Sequence, residues 1–271
     1  MAAPIRVQAT PKATADNQLS VSMTFSTPPT VGGGLIVAIA RSSGTLVTGT
    51  GCTDNKGNTF TLVFSYASPI GTGSIALFYC PAITVTGASF TITVTASNTS
   101  DWTGVAIETN TGLALHISQN GNGISTTAST VTTTVTEPDL FAIGVMTVDV
   151  AEASIAVSSG SGITWIQEIE ELTITTAITC EVDYASLTGW AATIAATWTF
   201  PSSSWWACGV ASFKIASTTA ARISQLPLET AILSDAPIAL RLSQLPIEIA
   251  IDVTIIPPSV TETIQFIVVM P

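Results

Sequence analysis

The only dense group of side chains suited to acid–base chemistry lies between residues 168 and 183. Glycoside hydrolysis needs two neighbouring carboxyl groups, one acting as the acid and the other as base or nucleophile. The carboxylates in this stretch are Glu168, Glu170, Glu171, Glu181 and Asp183. Glu168 and Glu170 flank Ile169 and would share one side of an extended chain. This favours a solvated strand face over a catalytic pair or a cation site.

Nucleophilic catalysis has less support. A serine or cysteine nucleophile needs a base beside it, and the single histidine, His116, lies in the strand-like run Leu113-Ala-Leu-His-Ile. That context indicates a surface or hydrogen-bonded strand residue. The motifs G-x-S-x-G and H-E-x-x-H and the Walker loop do not occur in the chain. We therefore predict that the protein is not an enzyme and needs no cofactor.

Metal ligands are also sparse. The cysteines are widely spaced without a C-x-x-C pair, so zinc ligation has no template; they are Cys52, Cys80, Cys180 and Cys208. We expect small buried hydrophobic residues, although an even number would permit two disulfides in an oxidising compartment. The run from Asp54 to Asn58 lacks the alternating acids and distal glutamate of a calcium loop. We interpret it as a hairpin turn.

Several tryptophans raise the alternative of a binding protein. Exposed indole faces can stack on sugar rings, as in lectin-like sandwiches, although core packing is the usual fate of tryptophan. The residues that would form such a carbohydrate platform are Trp102, Trp205 and Trp206. They predict, as the alternative function, a carbohydrate-binding adhesin on a phage tail or a cell surface, with host-surface glycans as partners.

Charge and hydropathy argue against nucleic-acid binding and against a membrane span. The net charge is -11, and residues 137–183 hold nine acidic residues and no Lys or Arg, so a basic stripe for nucleic acid is not expected. No apolar run reaches the roughly 18 to 20 residues that span a bilayer. The N-terminus lacks a signal-peptide pattern, from which we expect folding in the cytoplasm. Only 9% of residues are charged, which suits packing against other subunits.

Period-two alternation dominates the pattern and predicts strands. Leu19 to Phe25, Phe90 to Thr95 and Leu172 to Ile178 alternate apolar residues with Thr and Ser. Clusters rich in Gly, Asn and Pro, including Gly32 to Gly34 and Asn120 to Gly123, lie between such runs and indicate turns. No sustained helical period occurs. The sequence therefore predicts an all-β fold, an antiparallel β-sandwich of jelly-roll-like type.

A weak internal repeat relates residues 1–112 to residues 113–216. Leu35 to Ala38 matches Leu140 to Ile143, and Trp102 matches Trp206, which suggests duplication of one strand set. The joint between the halves has no linker composition. We predict one β-sandwich domain over residues 1–216, built from two pseudo-repeats, although two tandem sandwiches would give a similar pattern.

Residues 217–271 form a different segment, which we term the C-terminal arm. A motif R-x-S-Q-L-P-x-E-x-A begins at Arg222 and again at Arg241. As an extended chain the second copy is apolar along one side, and its proline suits an edge strand. A neighbouring subunit or the sandwich itself would have to cover that side. The predicted assembly interface consists of Arg222, Gln225, Leu226, Leu228, Arg241, Gln244, Leu245, Ile247, Ile249 and Ile251.

Two stretches resemble segments of phage proteins. Thr53-Asp-Asn-Lys-Gly-Asn-Thr-Phe-Thr61 is similar to a recurring stretch in β-sandwich domains of tailed-phage and bacterial surface proteins. Arg222-Ile-Ser-Gln and Arg241-Leu-Ser-Gln resemble R-[IV]-[ST]-Q repeats near the C-termini of phage virion proteins. The resemblance implies a homo-oligomeric virion structural protein, in a capsid decoration, head fibre or tail position, that contacts other virion proteins.

Overall fold

The structure, a computed structural model, describes residues 3–152, 154–158, 163–171, 179–189 and 193–216. The chain divides into two compact units, residues 1–218 and 219–271, so all described residues belong to the first unit. Every strand pairing among them is antiparallel. The predicted all-β sandwich is confirmed for these residues. The described part holds no helix with the length and apolar character of a membrane span.

The strands fall into a first half and a second half of the chain. Those of the first half are β1 (Arg6–Ala9), β2 (Ala13–Thr24), β3 (Gly34–Arg41), β4 (Cys52–Asp54), β5 (Thr61–Ala67), β6 (Ser74–Cys80) and β7 (Thr91–Thr109). Those of the second half are β8 (Leu113–Ser129), β9 (Thr133–Thr134), β10 (Leu140–Val148), β11 (Ala156–Ser158), β12 (Ile166–Glu171), β13 (Thr179–Leu187), β14 (Thr193–Ile194) and β15 (Thr197–Ile215).

Each half builds its own sheet, and the two sheets have the same strand order. The first sheet runs β1-β7-β3-β6-β5, with β2 and β4 also paired to β7. In the second sheet β15, β10, β13 and β12 are neighbours in that order, and β8 and β11 also pair with β15. The halves exchange no strands among the described residues. The sandwich is therefore a stack of two equivalent sheets.

The central strands are buried on both faces, which explains their uninterrupted apolar sequences. In β3, Leu35, Val37 and Ile39 belong to a core within the first half, whereas Ile36 and Ala38 belong to the core between the two sheets. Phe141 and Ile143 of β10 meet them in that shared core. A strand with one solvent-exposed face would instead have alternated apolar and polar residues.

Each sheet also folds back over its outer face. Residues 91–95 of β7 pair with β2 and residues 102–109 pair with β3, and the first-half core contains members of both parts, such as Ile92 and Trp102. The second half repeats this arrangement with β15 and two further apolar clusters. Each half thus encloses a core of its own beside the shared one.

The sheets stack so that β1 lies against β12 and β5 lies near β8. Arg6 of β1 contacts Glu168 of β12, and Asn122 of β8 donates a hydrogen bond to the carbonyl of Ala67 in β5 at 2.8 Å. Since β1 and β8 hold equivalent places in their sheets, as do β5 and β12, an approximate two-fold axis relates the halves. The interface has the isologous character of a symmetric dimer.

Candidate functional site

The predicted assembly residues of the C-terminal arm lie outside the described residues. These are Arg222, Gln225, Leu226, Leu228, Arg241, Gln244, Leu245, Ile247, Ile249 and Ile251. The third predicted strand, residues 172–178, also lies outside them.

The three tryptophans of the predicted carbohydrate platform occupy different environments. Trp102 is fully buried and donates its indole N–H to the carbonyl of Gln18 at 2.8 Å. The centre of its ring lies 4.2 Å from the guanidinium carbon of Arg41. Trp206 is also buried and packs over β8. Trp205 alone is half-buried. Stacking on a sugar needs an accessible ring face, and Trp205 is the one member of the three that is not buried.

The stretch from Asp54 to Asn58 is a turn, but not the predicted hairpin, because β4 pairs with β7 and β5 pairs with β6. Asp54 Oδ1 accepts backbone N–H bonds from Lys56, Gly57 and Asn58 at 2.8, 2.6 and 3.1 Å. Gly57 has a φ of +85°, a conformation that favours glycine. These donors occupy the oxygen that a cation would need.

Asn58 explains why this motif needs an amide at its end. Its side-chain N–H₂ donates to Asp54 and to the carbonyl of Val85, at 2.7 and 2.8 Å. Its Oδ1 accepts from the backbone of Thr84 and Val85 at 2.8 and 3.0 Å. The residue is buried and ties the turn to a distant loop. The stretch from Thr53 to Thr61, which resembles a segment of phage and bacterial surface proteins, thus has a structural role in this fold.

Two of the sequence-predicted carboxylates form a buried pair on β13. Cys180 and Val182 point into the core between the sheets, so the intervening Glu181 and Asp183 point to the outer face of the second sheet. Their relative exposures are 1% and 0%. Trp198 covers this face and donates its indole N–H to Asp183 Oδ2 at 2.7 Å.

A glycine makes room for that indole. Gly144 is the register partner of Asp183 on β10, and a Cβ at Gly144 would lie 2.8 Å from Cζ2 of Trp198. Glycine in a strand interior marks such a close approach. The three residues therefore form one packing unit.

Burial and mutual repulsion alter the protonation of the pair. Burial, followed by the charge of Asp183 and a hydrogen bond to it, raises the pKa of Glu181 to about 9. Burial raises the pKa of Asp183 to about 6, against the opposing hydrogen bonds from Trp198 and Glu181. Glu181 Oε2 and Asp183 Oδ1 receive no hydrogen bond from an N–H or hydroxyl donor. Because the pKa of Glu181 is raised further than that of Asp183, Glu181 is the member of the pair that holds a proton at neutral pH.

The remaining carboxylates of β12 are not the solvated face that the sequence predicted. A bulge at Glu168 interrupts the register between β12 and β13. Glu168 and Glu170 therefore have different neighbours. Glu170 is the register partner of Glu181, whereas Glu168 accepts two hydrogen bonds from Arg6, from Nε at 2.6 Å and from Nη2 at 2.8 Å.

A second ion pair joins the same two edges of the sandwich. Lys12 Nζ lies 2.6 Å from Glu171 Oε2. The carboxylate side chains are largely buried, at 8% exposed for Glu168 and 14% for Glu171. The N-terminal segment of the first half thus neutralises part of the acidic segment of the second half.

These groups have little capacity for chemistry as they stand. A general acid must reach its substrate, and neither Glu181 nor Asp183 is accessible. Within the described ranges, no three His, Cys, Asp or Glu side chains are placed to share a metal ion. His116 lies at a bulge of β8, where its Nε2 accepts a weak hydrogen bond from the Thr136 N–H at 3.4 Å. Burial lowers the pKa of His116.

The four cysteines are free and buried, as the sequence indicates. Desolvation raises the pKa of all four thiols, to about 11 for Cys80 and about 12 for Cys180 and Cys208. They are therefore protonated and inert near neutral pH.

A buried arginine is the main polar feature that the sequence did not reveal. Arg41 is fully buried and its guanidinium donates to Ser100 Oγ, to the Thr45 carbonyl and to both oxygens of Asn98. Desolvation lowers its pKa to about 10. The signal in the sequence was an arginine that directly ends a fully apolar run. This side chain joins the segment after β3, at Thr45, to strand β7.

The run from Asn120 to Gly123, predicted to be a turn, lies inside the long strand β8. The indole of Trp206 explains the glycines, because a Cβ at Gly123 would lie 2.7 Å from its Cζ2 atom. The indole N–H donates to Ser125 Oγ of the same strand at 3.0 Å. Glycine therefore admits a neighbouring ring here and does not reverse the chain.

No protein family, curated protein or solved structure matches the chain.

Proposed function

We propose that this chain is a non-enzymatic structural protein of a virus particle, in a capsid decoration, head fibre or tail position, and that it assembles as a homo-oligomer through strand and arm contacts. The observation that carries the proposal is the internal use of its ionisable side chains. A catalyst or a charged-ligand binder keeps such groups available at an accessible site. This sandwich instead uses them to join its own elements.

The basic side chains show most clearly that ionisable groups are used inside the sandwich. Arg6, Lys12 and Lys214 pair with carboxylates, Arg41 is buried, and the Lys56 ammonium donates to the carbonyl of Ala88 at 3.0 Å. These are all the Lys and Arg of the described residues. Neutral Thr, Ser and apolar side chains therefore make up much of the remaining accessible surface, which suits contacts between subunits.

The sequence of the arm supports the same role. Leu245, Ile247, Ile249 and Ile251 alternate along one side of the second repeat, and an extended segment of this kind is stable only when another surface covers it. The resemblance of Arg222-Ile-Ser-Gln and Arg241-Leu-Ser-Gln to repeats of phage virion proteins supports a role in a virus particle.

The experiment measures assembly with and without the arm. Light scattering of the full chain and of a chain lacking residues 217–271 should show a smaller mass for the shortened protein. A full-length variant with Ile247→Asp and Ile249→Asp should reproduce the loss, because both changes charge the apolar side. A matched control, Glu248→Gln, alters the opposite side and should keep the wild-type mass. An unchanged mass after deletion, with normal joining to the native particle, would refute the arm's role.

Trp205 favours one second candidate, a carbohydrate-binding adhesin. It is half-buried and its register partner on β8, Ile124, is exposed, so an indole face and an aliphatic side chain adjoin on one surface. A glycan array with the wild-type protein and Trp205→Ala distinguishes the candidates. Glycan binding that Trp205→Ala removes would support the adhesin, and no binding would leave the architectural role.

A further inference from the structure

The long strand β8 has one paired side and one open side. It pairs with β15 from Leu113 to Ser129, and no other described strand pairs with it. Its register is unbroken from Ile117 to Ser125. An open strand edge presents a row of N–H and C=O groups that can template pairing with another chain.

The equivalent edge of the first half is protected, and β8 is not. There the chain is split into β1 and β2 by a segment that includes Pro11 and Lys12. Strand β2 also carries Asp16 and a left-handed residue, Asn17, with φ of 50°, and its register to β7 shifts twice. Proline, charge and irregular register are the devices that prevent edge-to-edge pairing. Residues 113–129 contain no Pro, Lys, Arg, Asp or Glu.

Two local features mark the ends of the open edge. At one end, the bulge at His116 interrupts the register. At the other end, Ser125 Oγ accepts from the N–H of Thr127 at 3.2 Å and donates to its carbonyl at 2.5 Å, which occupies both backbone groups. The free stretch between them is about 30 Å long at the usual rise of a strand.

We propose that the open edge of β8 pairs antiparallel with β8 of a second copy, so that the second sheets of two molecules join into one continuous sheet across a two-fold axis. A protein of net charge -11 repels its own copies. Among the described edge strands, β8 is the longest that carries no charged residue, so two copies can approach there. Ile124, 56% exposed, would gain cover there. A strongly basic or acidic partner would find no countercharge on this strand.

This inference deepens the proposed assembly role and rests on it, but its test is separate from that of the arm. The molecular mass of the full-length wild type and of Ile124→Lys is measured by sedimentation over a hundredfold range of concentration. The new charge lies on the open edge and should weaken association at least about tenfold, as gatekeeper charges do. The matched control is Leu19→Lys, at a residue 50% exposed on β2, which should associate like the wild type. Circular dichroism confirms that each variant is folded.

A cysteine scan then identifies the partner strand. Ser118→Cys, Asn120→Cys and Ile124→Cys place single accessible thiols along β8, while the native thiols are buried. A disulfide needs a Cα separation of about 4.4 to 6.8 Å. Only a residue near the two-fold axis meets its own copy at such a distance. One position should therefore form a covalent dimer far more readily than a position two or more residues away.

The outcomes separate this inference from the proposed function. Loss of association with Ile124→Lys, together with a position-dependent disulfide, supports the β8 pairing. A wild-type mass for Ile124→Lys, or no disulfide at any position in an associating protein, overturns it even if the arm proves essential. A wild-type protein that remains monomeric at the highest concentration overturns both the pairing and the homo-oligomer.

Discussion

Replacing Glu181 with glutamine should remove most of the pH dependence of the unfolding free energy between about pH 6.5 and pH 8. In the native state the pKa of Glu181 is about 9, because the side chain is buried and faces the carboxylate of Asp183. In the unfolded chain a glutamate has a pKa of about 4.3. The native state therefore holds a proton through this interval that the unfolded state has released.

The sign follows from that difference. A group whose pKa is raised by folding stabilises the protein at low pH, and the stabilisation is lost as the pH rises toward the native pKa. The wild-type protein should thus become less stable from pH 6.5 to pH 8, which is opposite to acid denaturation. Glutamine keeps the shape and can donate its amide to Asp183, but it cannot lose a proton.

The interval is chosen so that one group dominates. The pKa of Asp183, about 6, lies below it, and the cysteines, whose unfolded pKa is about 8.5, titrate above it. His116, with an unfolded pKa of about 6.5 and a lowered native pKa, titrates at or below its lower limit. One extra native proton changes the free energy by about 1.4 kcal/mol per pH unit. The loss across the interval is therefore about 2 kcal/mol.

Urea denaturation followed by tryptophan fluorescence measures this quantity at constant ionic strength. The difference in stability between Glu181→Gln and the wild type should grow by about 2 kcal/mol from pH 6.5 to pH 8, in favour of the variant. The control Glu168→Gln weakens the pair with Arg6 and should lower both values together. Equal wild-type stability at the two pH values, or the same slope in Glu181→Gln, would show that the pKa of Glu181 is not raised in the native state.

Three further predictions concern packing, ion pairing and thiol access. Gly123→Ala should destabilise the protein by about 1 to 3 kcal/mol in urea, because the new methyl group meets an indole ring, whereas Gly49→Ala, with no side-chain atom nearer than 3.9 Å, should change stability by less than about 1 kcal/mol; equal effects would contradict the packing argument. A double-mutant cycle on Arg6 and Glu168 should give a coupling of about 1 to 2 kcal/mol that decreases in high salt, and zero coupling would exclude the pair as a link between the sheets. The four native thiols should react with a thiol reagent only at the rate of unfolding, since all are buried; fast labelling of folded protein would show that a thiol is accessible.

Several elements of the fold could be predicted from local pattern alone. Leu19 to Thr24 and Thr91 to Thr95 alternate in the sequence and lie in β2 and β7, where they pair with each other. The apolar run that became β3 was also evident, as was the turn before it, where Gly32 has a φ of +87°. These predictions succeed because a strand's own residues determine which face is apolar.

The errors arise where a distant side chain decides the local structure. Asn120 to Gly123 has turn composition, yet it is strand because Trp206 fills the space above the glycines. Trp102 was a candidate for the surface and is core, held by the Gln18 carbonyl and Arg41. No local pattern contains those partners, which lie far away in the sequence.

For the carboxylates of residues 168–183, the sequence determined their number, their spacing and the absence of nearby cations in the chain. It could not determine which would pair with a base and which would be buried as a pair with raised pKa values. The stacking of β1 on β12 brings Arg6 to Glu168, and the fold of the second sheet brings Trp198 over Asp183. Local pattern determines the strands because alternation is a property of neighbouring residues. Charge state follows from burial and long-range contacts, which exist only after the two sheets have closed on each other.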